Sequence, residues 1–255
     1  MRCAIALVLL GGCQLVFGVE PTVTEPIGDA GADGASDDAG DGRVCTSSTP
    51  YTMQVIEDTF IVPDNTSCNP SIRFGTFENL NVGQNDLSRV LLRFQLPKEV
   101  VSQLQQGLPL DDARLSLAVS DLGISSELEL AVYPLTNEWN EGFPMTVYSG
   151  ASWCNAIGVD AGTQTPWNAN GADGFGDRGQ IPLGGRTILA IETMPNNVVD
   201  VKLPAARISS VGNWVSTDKG YLSLILVRTS ATGTLFLQAR EANQIPARLE
   251  MRVCD

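Results

Sequence analysis

Histidine is missing from all 255 residues. Its absence removes Ser-His-Asp and Cys-His nucleophile machinery, along with every His-ligated zinc or iron site. Positive charge is scarce as well: 16 Lys and Arg stand against 29 Asp and Glu, a formal net charge of −13. That balance speaks against nucleic acid or an anionic membrane surface as partner. The apolar run from Ala4 to Leu10 is too short to span a bilayer. Any catalysis would have to rest on carboxylates, Tyr, Lys, Ser or a hard cation.

What is present begins with an address. Residues 1–12 carry one cation, Arg2, then the short apolar run, the layout of a signal peptide. "LGGC", ending at Cys13, is similar to the bacterial lipobox, in which the Cys becomes the acylated first residue of the mature chain. Cleavage after Gly18 is the alternative, although it would place a Gly-Gly pair and a Gln inside the apolar region. Two or more acyl chains on Cys13 would anchor the protein stably, where one would be marginal. The implied location is the bacterial cell envelope, most naturally its outer membrane, with secretion following from the other cleavage.

Residues 13–44 are dominated by Gly, Ala and Asp, and carry seven acids between Glu20 and Asp41. Such a segment buries too little apolar surface to offset its chain entropy, so an extended tether is expected. Beyond it, from residue 46 onward, 22 acids face 14 bases, a net of −8. Residues 45–255 form one domain in this reading.

Setting aside Cys3 and Cys13 leaves Cys45, Cys68, Cys154 and Cys254. An even number in an exported chain implies two disulfides, and the wide spacing argues against zinc or redox chemistry. Cys45 opens the domain and Cys254 closes it, and domain ends often lie close together, so Cys45–Cys254 and Cys68–Cys154 are the expected pairs.

Alternation with period two dominates the domain. In "SRVLLRFQL", Val90, Leu92 and Phe94 take one face while Arg89, Leu91 and Arg93 take the other. "ARLSLAVS", "ELELAVYPL", "VVDVKL", "YLSLILVR" and "ARLEMRV" repeat the pattern, which marks half-buried antiparallel strands. Only "PKEVVSQLQQG" and "PAARISSVGNWVS" read as helical. About ten strands with turns between them predict an all-β antiparallel sandwich of jelly-roll type with two short helical connectors.

The order of pieces is informative: "DTFIV", "NLNVG", "SRVLLRFQLP", "ARLSLAV", "LAVYPLTNEWNEG", "ASWCNA", "TPWNANGADGFGD" and "LFLQAREANQIPARLEMRV". Taken in sequence, these resemble the DNRLRE (disaggregatase-related) domain, a β-sandwich family regarded as carbohydrate-binding. The resemblance runs from Thr52 to Val253. Cys154 and Ala239 depart from it, standing where a polar residue and a Ser are commoner. It implies a non-catalytic module that holds polysaccharide, with the sugar unspecified.

Tryptophan offers a rigid flat surface to the C–H face of a sugar ring. Trp139 and Trp167 lie among Asn, Glu and Gly, where a ligand platform and a plug over the core are both open readings; Trp167 is the preferred platform. Trp153 beside Cys154 and Trp214 beside Val215 suit packing better, though Trp153 also enters the candidate ligand set. Glu141, Asn168, Asn170 and Asp173 would pair with hydroxyls around the rings. Oxygen ligands from Asn168 to Asp177 suit Ca²⁺, with Asp173 and Asp177 as the metal ligands, although Asx-Gly strings also form turns without an ion. Asp58 with Glu241 is a further acidic pair, and such a Glu can simply satisfy an Arg across the sheet. Arg73, Arg89 and Arg93 could form a stripe for an acidic polysaccharide, but pairing with nearby acids is the stronger reading in so acidic a chain. Glu138, Glu141, Asp173, Asp177 and Tyr148 could serve a glycosidase or lyase. Loop acids are expected by chance in such a sequence, so catalysis is not expected. A surface adhesin binding another protein is the remaining alternative.

Overall fold

The longest strand, β1 (Ser48–Ile61), explains the architecture. Its first half pairs antiparallel with β12 (Arg248–Cys254), from Ser48 opposite Cys254 to Gln54 opposite Arg248. Its second half pairs with β3 (Arg89–Gln95), after a register shift between Val55 and Glu57. A bulge of this kind bends and twists a strand, which lets one ribbon serve two layers. The structure is a computed structural model that describes residues 45–63, 77–83, 87–106, 110–121, 127–142, 150–158, 164–208, 219–242 and 246–254. The signal-like start with Cys13, the acidic segment, Cys68, Arg73, Tyr148 and Trp214 lie outside the described residues.

One layer continues from β12 to β4 (Leu110–Asp121), which is flanked in turn by β9 (Val198–Lys202) and β11 (Leu235–Gln238). β2 (Asn79–Val82) closes that side against β11. The other layer runs from β3 to β10 (Tyr221–Arg228), β5 (Leu128–Pro134) and β8 (Gly184–Ile188). Every one of these pairings is antiparallel. The inward residues foreseen from alternation meet between the layers: Leu115 and Leu117, Leu249 and Met251, Val90, Leu92 and Phe94, Leu222, Leu224 and Leu226 share one buried core. The fold is an antiparallel β-sandwich.

Two helical connectors occur as expected. α1 (Lys98–Gln105) starts after Pro97 and buries Val100 and Leu104, four residues apart on one face. α2 (Ala205–Ile208) is a single turn following Pro204, and the rest of the stretch read as helical lies outside the described residues. Cys45 and Cys254 are joined in a disulfide, with Cα atoms 5.3 Å apart. Cys154 is also disulfide-bonded, to a partner outside the described residues.

Simple alternation fails at β3, where Arg89, Leu91 and Arg93 are buried along with the core-facing residues between them. The cause is the long excursion between β5 and β8. It lays a second apolar cluster over this layer's outer face, in which Leu91 and Ile225 meet Leu135, Trp139, Ala156 and Trp167. Two short strands within the excursion, β6 (Asn155–Ile157) and β7 (Thr165–Pro166), pair with each other. The outer face of β4, β9 and β12 has no such cover among the described residues: Arg114, Lys202, Glu250 and Arg252 are exposed there.

Candidate functional site

The excursion holds most of the residues picked out by sequence, and it is organised from Asp177. This carboxylate is wholly buried. One oxygen accepts the Asn168 amide at 2.9 Å and the side-chain amides of Asn168 and Asn137, and the other accepts the backbone amides of Ala169 at 2.9 Å and Gly174 at 3.0 Å. Five N–H donors converging on one carboxylate make a strong, charge-assisted hub. Glycine is required beside it, because a Cβ at Gly174 would stand 2.6 Å from the Asp177 oxygen. Gly171 adopts a positive φ of 76° and lies against the Trp153 ring, again leaving no room for a side chain.

Trp167 is 5% exposed and donates its indole N–H to the Ser152 carbonyl at 2.8 Å. Trp139 is 2% exposed and donates to the Ser223 hydroxyl at 3.1 Å. Arg93 stacks over Trp139, 4.6 Å from the ring centroid. The expectation of Trp139 and Trp167 as flat ligand platforms is therefore corrected. Their faces are spent on the second apolar cluster, and their polar handles are satisfied within the protein. Trp153 is half-buried with Arg89 over its ring, the packed position foreseen for it.

The calcium ligands are corrected too. All the Asp177 contacts above come from N–H donors, the reverse of what a cation needs. Asp173 accepts from Arg178 at 2.6 Å and lies 3.4 Å from Arg89. Partial burial pushes its carboxyl up, but those two guanidinium groups outweigh that and hold it below the usual carboxylate range. Asn168 and Asn170 are exposed. The two described members of the arginine stripe, Arg89 and Arg93, are paired, as the stronger reading had it. Arg93 bonds Glu57 at 2.6 Å and the Trp139 carbonyl at 2.6 Å, and Arg89 donates to the Gly171 carbonyl. Desolvation lowers the Arg89 pKa.

Sequence reasoning missed Phe175. It is 88% exposed at the tip of the loop that Asp177 organises, the most exposed large apolar side chain described. Its neighbour Arg178 stacks over Tyr133 at 3.9 Å and pairs with Asp173, so the ring stands on a braced base. A lone Phe between two glycines was the available signal, and the tryptophan nearby drew attention from it.

Glu141 belongs to a different grouping. Asp58, Glu141 and Glu241 bring carboxylate oxygens within 4.8 Å of one another. The Asp58 amide donates to Glu141 at 3.0 Å, the Arg240 amide donates to Asp58 at 2.7 Å, and the Arg240 guanidinium donates to both Glu141 and Glu241 at 2.7 Å. Among the described residues these three carboxylates are the set that could gather a metal ion, and Arg240 already supplies a positive charge among them. Burial pushes the Asp58 carboxyl up to about 7 and Glu141 up to about 8, with the Arg240 interactions opposing. The pairing of Asp58 with Glu241 was legible in sequence. Glu141 and Arg240 joined it only through the fold.

No family model and no curated protein sequence matches this chain.

Proposed function

We propose that the protein is a non-catalytic lipoprotein of the bacterial envelope whose sandwich binds polysaccharide. The lipobox-like "LGGC" supports the anchor at Cys13, and the ordered pieces from Thr52 to Val253 support a carbohydrate-binding module like the DNRLRE domain. One observation carries the binding reading: the Phe175 ring, 88% exposed, is held in water on a loop clamped by buried Asp177. Exposing that ring carries a hydrophobic cost, which stacking on the C–H face of a sugar would recover. Asn168 and Asn170 lie on the same loop for hydroxyl contacts. The test is affinity electrophoresis of the full chain through gels containing polysaccharides, with Phe175→Ala as the variant. Retardation lost on substitution, with unchanged melting, upholds the reading; retardation untouched by it removes Phe175 from the site.

A protein-binding adhesin is the second reading. It is favoured by Leu189, Ile191, Met194 and Val198, all exposed around the 3-10 turn Ala190–Thr193. No described helix is long and apolar enough to cross a membrane. Polysaccharide cleavage is the weakest reading, because Asp58, at the centre of the acidic grouping, is 1% exposed and substrate cannot reach it in this conformation.

A further inference from the structure

The sandwich treats its two outer faces differently. The β3–β10–β5 face lies under the excursion, whereas the β9–β4–β12–β1 face is bare among the described residues and carries two recesses of about 230 and 320 Å³. The recesses share Arg114 and Glu250, so they form one groove running across the strands.

Register fixes the chemistry along it. Glu250 faces Arg114 across the β4–β12 ladder and Thr52 across the β1–β12 ladder, and it has Arg248 and Arg252 two residues away on the same face of its own strand. Arg248 faces Ser116, which faces Asp200 on β9. Guanidinium and carboxylate groups thus alternate along β12 and between β12 and β4, hydroxyls stand at Thr52 and Ser116, and Lys202 adds a second cation opposite Arg114. Ser116 donates to Asp200 at 2.6 Å, and Arg114 lies 3.6 Å from the same carboxylate. Among the described residues, no side-chain hydrogen bond or ion pair engages Arg248, Arg252 or Glu250.

Alternating signs cancel at a distance, so this face exerts little pull on a polyanion or a polycation. At contact, each Arg donates in a fixed fork and each carboxylate accepts. Neighbouring hydroxyls on a sugar ring both donate and accept, and they match such an alternation without bringing charge of their own. Strands about 4.8 Å apart repeat the pattern across the groove. We propose that this groove is a binding surface for an uncharged, hydroxyl-rich polysaccharide chain. The proposal rests on the polysaccharide reading above and adds to it both a place and a ligand class.

Native gels containing hydroxyethyl cellulose, galactomannan or polygalacturonate would test the full chain against Arg248→Ala, Glu250→Gln and Phe175→Ala. The Arg248 side chain is half-exposed, that of Glu250 is exposed, and both are unpaired, so their variants should melt with the wild type. Retardation by an uncharged polymer, persisting at high salt and weakened about tenfold in Kd by either groove substitution, is the expected result. Uncharged-polymer retardation that survives both groove variants overturns the groove and leaves the polysaccharide reading standing. Retardation by polygalacturonate alone, abolished by salt, overturns the uncharged class. Failure of every polymer to retard the wild type overturns both proposals together.

Discussion

Arg93 lies over Trp139, its guanidinium carbon 4.6 Å from the ring centroid, and one of its nitrogens bonds the Trp139 carbonyl at 2.6 Å. A strand residue of the sandwich thus holds the start of the excursion by both stacking and hydrogen bonding. The same arginine reaches Glu57 on β1 and Ser223 on β10, so three strands and a loop meet at one cation. Buried cations persist only when paired in this way.

Trp139→Ala should therefore cost about 3–5 kcal/mol, because it opens a cavity and uncovers a buried arginine. Urea denaturation measures the loss. Trp167→Phe should raise the acrylamide-quenchable fraction of the folded protein's emission, since it removes an indole that is only 5% exposed.

Asp177→Ala leaves up to five N–H donors without their acceptor. A loss of about 3 kcal/mol is expected, read as a lower Tm, together with faster proteolysis within 167–178. Phe175→Ala in the same loop should leave Tm unchanged, because its ring packs on little.

The acidic grouping predicts how stability varies with pH. Burial raises Asp58 to about 7 and Glu141 to about 8, both above their ordinary values. Between those ordinary values and the raised ones, the folded state binds more protons than the unfolded chain, so stability falls as pH rises. The contribution is fully present below about pH 4 and is lost as pH rises through 7 to 8. Melting curves from pH 5 to 9 should show the decline, and Asp58→Asn, which keeps a neutral group there, should flatten it.

Reducing Cys45–Cys254 opens a link between residues 209 apart in sequence. Chain-entropy reasoning assigns it about 5 kcal/mol. The Cys45→Ser, Cys254→Ser double variant should unfold at lower urea than the wild type, with a larger m-value if its unfolded state expands.

Much of the sandwich was readable from alternation alone, because an inward aliphatic residue recurs every second position in β4, β5, β9 and β12. At β3 the same reasoning stopped short: period two assigns Leu91 and Arg93 to a common face but does not say what covers it. The loop was legible as a loop, and its glycines as turn-makers. Which aromatic it would bury was not, since Trp167 and Phe175 sit in similar polar strings eight residues apart.

Local chemistry by itself determined the strands, the even cysteine count and the lack of any histidine-based reaction, because side-chain period and residue type act within short windows or by simple inventory. Which cysteines meet, Cys45 with Cys254, depended on the domain ends coming together. Tertiary structure alone decided that Trp139 and Trp167 turn inward while Phe175 turns out, and that Glu141 joins Asp58 and Glu241 around Arg240. Burial and proximity depend on which distant segments meet. In this protein the meeting is made by an excursion folded back over the outer face of its own sheet.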